Sequence, residues 1–381
     1  MKTLLGIVTI IVLMEFLCNS CVKDSSNEIN IQDENFLNAL LNMGLDSNAN
    51  GKIESDETLG ITSLELNDKG ISNLNGIEAF VNLEILSIYN NYLTSLSLST
   101  NTTLKKLYCS GNPLKNLDLS KSINLTHLSC GSSSLTELDV SNNTKLEFLA
   151  CSNSNLTNLD ASDLPGLKEL HCRQNKLVSL DISNDATLDY LDCGLNQINS
   201  LNTSTNPKLS KLDCSVNNIT NLDLSGNTIL KGLICDHNLL STLNITNNTL
   251  LQWVYCNDNN LTSLNISNNT LLKENLNCDN NSLTSLDLSK CINLESLSCG
   301  ENQIANLNLS YNSKLKSLTC GGNLLSNLNI SNNTELQYLD ISETPSLYKI
   351  CVWVLPFPPN GIIVTSMNST NAFFSTDCSG T

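Results

Sequence analysis

The chain's 381 residues suffice for two or three ordinary domains, yet only 4% are aromatic and 15% charged. Its 20 basic and 37 acidic residues give a formal net charge of −17. Such a surface repels phosphate, which argues against nucleic acid and anionic headgroups as partners. Leu, Asn and Ser dominate; Asn-rich disorder would be equally polar, but it lacks regularly placed leucines.

Residues 1–21 read as a secretion signal. Met1-Lys2 precedes an apolar run from Leu4 to Met14, closed by Glu15 and followed by Leu17-Cys18-Asn19-Ser20-Cys21. The run is short for a membrane span. It resembles a bacterial lipoprotein signal, in which a cysteine after a small residue takes the lipid, and Cys21 after Ser20 is the expected acceptor. Lys23-Asp24 resembles the Lys-plus-acidic export signals of surface lipoproteins in the Bacteroidetes group. The resemblance implies a cell-envelope or outer-membrane surface lipoprotein that meets the membrane only through its anchor; plain secretion is the alternative. Residues 22–32 read as a flexible linker.

Residues 33–60 read as a helical cap. Phe36, Leu37, Leu40 and Leu41 fall at helical spacing. After them, 46–57 fit the twelve-residue EF-hand loop. Asp46, Asn48 and Asn50 stand at positions 1, 3 and 5, and Gly51 at the sharp turn. Lys52 offers its carbonyl at position 7 and Ile53 the apolar pin at 8. Glu54 can act through water, and Glu57 brings the bidentate carboxylate at 12. The loop predicts a weak, structural Ca²⁺ site that pins the cap, with affinity of roughly 10⁻⁴–10⁻³ M. The plainer reading is an Asn/Asp-rich turn. No exiting helix is expected, because Gly60-Ile61 already open the first repeat.

From Leu83 onward a unit recurs every 21 residues, opened by Leu104, Leu125, Leu146, Leu167, Leu188, Leu209, Leu230 and Leu251. An earlier copy from Ile61 is 22 long, and one extra residue falls within Lys273-Glu274-Asn275. Thirteen repeats fill 61–335, with a half repeat after Leu336. The pattern is L-x-x-L-x-C-x-x-N-x-L-x-x-L-D/N-L-S-x-N-x-x. Its first part alternates with period two and predicts a short strand. The Asn that follows (Asn112, Asn175, Asn196, Asn217, Asn238, Asn259) can bond backbone groups that burial would otherwise orphan. The rest leaves little room for a helix and returns by turns. This is the leucine-rich-repeat signature: no unit buries its leucines alone, and stacking copies about 4.8 Å apart does. The predicted fold is a β-rich, α/β-class right-handed solenoid, curved over roughly 60 Å, with a parallel sheet on its concave side. Repeats occupy 61–346 and a C-terminal cap 347–381.

Eleven cysteines share one repeat position: Cys109, Cys130, Cys151, Cys172, Cys193, Cys214, Cys235, Cys256, Cys278, Cys299 and Cys320. Leu66, Ile88 and Ile341 hold the same slot, so it is apolar and inward. With this file the chain resembles the internalin-type repeat proteins, in their cysteine-ladder subclass, across 61–340. The resemblance implies a solenoid on the bacterial surface that engages host or neighbouring-cell molecules. This chain differs in its lipoprotein-like signal and shows no wall-sorting motif. Neighbouring ladder Cβ atoms about 4.8 Å apart exceed the ~3.8 Å of a disulfide, so reduced thiols are expected. Cys291 stands apart on a convex turn. Cys351 and Cys378 bracket a Pro- and aromatic-rich tail and are the candidate disulfide.

The variable strand positions face the concave side. Tyr108, Phe148, Tyr190, Trp253 and Tyr255 project there, with His127 and His171. Aromatics beside polar groups are typical of binding hot spots. Asp192 and Asp213 should lie side by side about 5 Å apart, a spacing compatible with a retaining glycosidase. No pocket is evident to desolvate either, and no HExxH, GxSxG or P-loop pattern occurs. The expected function is therefore binding, not catalysis. The partner would be a protein on a host or neighbouring cell, captured by a monomer on its concave face. A glycan ligand, or a structural envelope role without a ligand, are the alternatives.

Overall fold

The computed structural model describes residues 27–359, 361–369 and 371–379. The expected signal, Cys21 as its expected lipid acceptor and the first part of the expected linker lie outside them. Fifteen three-residue strands form one parallel, in-register sheet along the concave side. It begins with β1 (Ser63–Glu65), β2 (Ile85–Ser87), β3 (Lys106–Tyr108) and β4 (His127–Ser129). β5 (Phe148–Ala150), β6 (Glu169–His171), β7 (Tyr190–Asp192) and β8 (Lys211–Asp213) follow. β9 (Gly232–Ile234), β10 (Trp253–Tyr255) and β11 (Asn275–Asn277) continue it. In each strand from β3 to β8 the central leucine is buried and the outer residues are partly exposed. This is the period-two alternation that one covered face produces. All eleven ladder cysteines are free and buried. Burial pushes their thiols up, to about 12 at Cys130, Cys256 and Cys320, so they pack as inert apolar groups.

Two columns of side chains close the turns. On the concave exit, the Nδ2 of Asn238 donates to the carbonyls of Cys214, Cys235 and Asp236, while its Oδ1 accepts from Ile219 N–H at 3.0 Å. A second, convex column comes from the S-x-N of the pattern, whose function sequence reading had not drawn out. There Asn248 Nδ2 reaches Leu224 O at 3.0 Å and Asn227 O at 2.9 Å in the preceding turn. Cys291 occupies a place in this convex column and is fully buried.

Both ends differ from expectation in detail. Residues 27–31 are docked and do not hang as a free linker. Ile29 and Ile31 pack on the core, and Glu28 bridges antiparallel to Glu54. Two isoleucines in five residues give that segment apolar surface to bury. The entering helix is α1 (Glu34–Asn42), with Phe36 and Leu40 fully buried. Asp33 caps it through Phe36 N–H, and its other oxygen accepts from Ser72 and Asn73, tying cap to first repeat. A one-turn exit helix, α2 (Ser55–Thr58), forms where none was expected; Glu54 and Glu57 close a capping box around it.

At the far end the coil runs on into 347–381. The concave sheet gains Tyr338–Asp340 and then Ile363–Thr365, where Val364 pairs in register with Leu339. A convex sheet joins Asn327–Asn329, Lys349–Cys351 and Phe373–Ser375. The Pro-rich stretch around Pro356–Pro359 lengthens these turns, which hides them from a search at period 21. Cys351 and Cys378 form a disulfide across Cα atoms 5.3 Å apart. Among the described residues, no helix is long and apolar enough to cross a membrane.

Candidate binding face on the concave sheet

Because each strand from β3 to β11 buries its central residue and, Gly232 apart, leaves both outer ones at least partly exposed, the outer side chains stand on the concave surface and those of successive turns align in rows. Three aromatic contacts link four adjacent strands. His127 and Phe148 stack with ring centroids 6.0 Å apart. Phe148 meets His171 at 5.4 Å and His171 meets Tyr190 edge-on at 5.0 Å. The file steps diagonally at Phe148 because its in-register neighbour is Glu169, while Ala150 beside His171 is too small to intervene. Burial, followed by Lys106, holds the His127 imidazole below its ordinary value, so at neutral pH it joins the file as an uncharged ring. Burial and the nearby Asp192 and Asp213 raise the Tyr190 phenol, which stays protonated. Tyr108 stands outside the file on β3, paired with Ser87 and Ser129.

Asp192 and Asp213 are opposite partners across β7 and β8. Between them reaches Arg173, the single arginine of the chain, which sequence reading did not single out. Its Nη1 lies 2.9 Å from Asp213 Oδ2 and 3.6 Å from Asp192 Oδ1. Asp213 Oδ1 also accepts from the N–H and hydroxyl of Ser215. Burial, then the charge of Asp213, raises the Asp192 carboxyl. Both acids are thus fastened by Arg173 into a partly buried clamp. The only sequence signal for Arg173 is a long cation one residue after a ladder Cys, where neighbouring repeats carry Ser or Gly.

A second aromatic group stands apart on β10. Trp253 and Tyr255 meet at 6.1 Å. A Cβ added to Gly232, the register partner of Trp253, would overlap the indole.

In the N-terminal loop the candidate oxygens serve the loop's own backbone. Asp46 accepts from Asn50 and Gly51 N–H, Asn48 from Asn50, and Asn50 from Lys52. Glu57 accepts from the Ser47 and Glu54 N–H groups, and chiefly the Glu54 bond holds its carboxyl down to about 2. Among the described residues, no group of three or more His, Cys, Asp or Glu converges as metal ligands.

No family profile and no curated protein matches the chain. Solved structures do. The functional domain of InlJ from Listeria monocytogenes, which includes a cysteine ladder, is 33% identical with a TM-score of 0.78, over 84% of this chain and 74% of that one. The internalin InlF of the same species is 22% identical with a TM-score of 0.66, over 90% and 94%. A leucine-rich-repeat protein of Leptospira interrogans is 23% identical with a TM-score of 0.60, over 71% and 81%. The last two likenesses establish the fold alone. With a third of its residues identical to InlJ across most of both chains, and its thiols stacked in one buried file, this chain belongs to the internalin-type leucine-rich-repeat family, in the cysteine-ladder subclass.

Proposed function

We propose that this is a cell-surface binding module, lipid-anchored at Cys21, that captures a protein partner on its concave face and catalyses nothing. One observation carries the reading. His127, Phe148, His171 and Tyr190 form a connected aromatic file on the open side of the sheet, in a chain where aromatics are scarce. Aromatic side chains presented at the centre of a rigid surface supply large contact area for little lost entropy, the usual composition of an interface hot spot. The Arg173 clamp beside them fixes the neighbouring charges and leaves no free acid–base pair.

The test is capture by the 22–381 fragment from surface extracts of candidate host or neighbouring cells, followed by binding of the purified partner. Phe148→Ala with Tyr190→Ala should weaken binding at least ~100-fold, as loss of two hot-spot anchors implies, without altering the far-ultraviolet spectrum. Undiminished binding moves the site off this file, and absence of any partner favours a structural envelope role. Anchoring is checked separately: a labelled fatty acid should attach to the full chain and not to Cys21→Ala.

In the same reading, the 46–57 loop is a weak structural Ca²⁺ site. Asp46, Asn48, Asn50, the Lys52 carbonyl and Glu57 would supply oxygen ligands once their bonds to backbone N–H are exchanged for the cation. Millimolar Ca²⁺ should then raise the melting temperature of the wild type and not of Glu57→Gln. An unshifted wild type removes the proposal.

A further inference from the structure

We propose that Trp253, lying over Gly232, is the floor of a carbohydrate subsite that stacks the apolar face of a neutral pyranose ring. This goes beyond the protein-binding reading and uses a different part of the sheet.

The argument begins with the glycine. The first concave position of every strand from β3 to β11 carries a side chain except Gly232: Lys106, His127, Phe148, Glu169, Tyr190 and Lys211 precede it, and Trp253 and Asn275 follow. A Cβ placed on Gly232 would sit over Cζ2 of Trp253, with Cε2 and Cη2 on either side a little farther off. That geometry puts the glycine beneath the face of the six-membered ring, not beside its edge. The indole therefore leans across one strand spacing and lies flat on the neighbouring backbone. Gly232 is buried, whereas Trp253 stays partly exposed. A ring with one face on the sheet turns its other face to the concave hollow.

What such a face accepts follows from its electrostatics. The π-face is negative and apolar. The C–H face of a pyranose is apolar and slightly positive, and the two are complementary in shape and charge. The surroundings suit the rest of a sugar. Asn275 is the register neighbour of Trp253 on the side opposite Gly232, and Asn277 is that of Tyr255. Asn277 Oδ1 accepts from Asp279 N–H and Asn275 Oδ1 is buried, so these carboxamides offer their N–H groups as donors to sugar hydroxyls, and the Tyr255 ring stands 6.1 Å from the indole as a flank. The clefts lined by Asp139, Asp160 and Leu164, by Leu96, Leu117 and Lys121, and by Asn308, Asn329 and Asn332 lie on convex turns, away from Trp253. The floor is thus open, which fits an internal residue of an oligosaccharide crossing the sheet better than a small molecule enclosed by it. A net charge of −17 selects neutral over anionic glycans.

The experiment titrates the 22–381 fragment, carrying Trp353→Phe so that Trp253 alone reports, with neutral hexasaccharides of β-linked glucose, xylose, mannose and N-acetylglucosamine. Heparin fragments serve as the anionic control. At least one neutral series should shift the indole emission in a saturable way, and heparin should not. Trp253→Ala should weaken that oligosaccharide at least roughly tenfold when binding is followed by ligand nuclear magnetic resonance. Trp253→Phe should retain part of the affinity. Gly232→Val should match the Ala variant, because it keeps the indole but lifts it off the sheet; circular dichroism confirms its folding, and Trp253→Leu replaces it if it fails. Silence of all four neutral series, or binding unchanged in Trp253→Ala, overturns the subsite. If Trp253→Ala instead abolishes capture of the protein partner while no sugar registers, the floor belongs to the protein interface. Since the sugar assay involves no protein partner, its failure leaves the Phe148–Tyr190 reading standing.

Discussion

Two columns of side chains run the length of this solenoid, and they obey different rules. The cysteine file accepts Leu66, Ile88 and Ile341 without disturbance, all buried to within 1%. Any apolar group of moderate size fills that slot, because nothing there awaits a hydrogen bond. The convex file is mostly asparagine, with Ser122, Leu164, Asp185 and Cys291 buried in the same slot. Asn101, Asn143, Asn206, Asn227, Asn248, Asn269, Asn312 and Asn333 are fully buried, and each donates to carbonyls of the preceding turn. Where Leu164 and Asp185 interrupt it, one slot loses its donors and the next holds an acid. The cysteine slot asks only for apolar volume, whereas each asparagine of the convex slot also ends carbonyls of the preceding turn, which Leu164 leaves to other donors.

The sharpest way to break this contrast is to place a hydrophobe in an amide column. Asn217 Nδ2 donates to Cys193 O, Cys214 O and Ser215 O, and its Oδ1 accepts from Ile198 N–H at 2.9 Å. Ser215 O has a second donor in Leu195 N–H. Cys193 O and Cys214 O likewise keep one donor each, from Asn196 and Asn238, so Asn217→Leu strands the buried Ile198 N–H outright and should cost about 1–3 kcal/mol. Denaturant unfolding should show it. A loss below about 1 kcal/mol would mean that the amide column is dispensable.

Asp185 supplies the next effect, in the opposite direction. It is fully buried, with only the Leu164 N–H near its carboxylate to offset the loss of water. Burial, then the charges of Asp181 and Asp160, pushes it up to about 7. In the folded chain it therefore keeps its proton below about pH 7, in a slot whose asparagines elsewhere act as donors to carbonyls of the preceding turn. Unfolded, it titrates near 4. Below about pH 4 both states are protonated and the group carries no penalty. Stability is lost as pH rises from about 4 to 7 and stays low above. Three pKa units correspond to an order of 4 kcal/mol. Asp185→Asn should remove that slope and be the more stable protein at pH 8, with little difference at pH 4. Parallel stability–pH curves for the two proteins would sink the assignment.

A single sulfur matters less. Cys235→Ala leaves a small cavity between Cys214 and Cys256 and should lose about 1–2 kcal/mol. A thiol reagent should label none of the eleven ladder cysteines in native protein and all of them in denaturant. Partial native labelling would place breathing turns within the file.

Most of this architecture was legible because one consensus, repeated, fixes both register and facing. Leu107 and Leu128 announce the same place in the coil, so Asp192 beside Asp213 and the inward thiols follow from counting. What escaped depends on distances that counting does not carry. Arg173 reaches Asp213 from forty residues away, and only its side-chain length brings the charges together. The Trp253–Gly232 overlap depends on a rotamer. The run of Ile363–Thr365 into the sheet was hidden by the longer, Pro-containing turns before it, and the four-residue helix α2 is shorter than any periodicity can register. The N-terminal loop matched its motif residue by residue, yet a list of oxygens does not say whether a cation or the loop's own N–H groups will hold them.

The smallest effect tests a third column that lies between the other two. Two residues after each ladder Cys the backbone turns left-handed: Asn153, Gln174, Leu195, Val216, His237, Asp258, Asn280 and Glu301 have φ between 48° and 57°. Asn and Asp tolerate this region, since their short side chains bond locally, whereas a β-branched residue crowds its own carbonyl. Val216, at φ 51°, is partly exposed and outside both buried files, so its strain has little packing to offset it. Val216→Asn should raise stability by about 1 kcal/mol, and Asn280→Val should lower it by a similar amount. The pair isolates backbone strain from side-chain contacts: if both substitutions lower stability, the valine is held by packing that outweighs its turn, and the column follows the rule of the cysteines and not that of the asparagines.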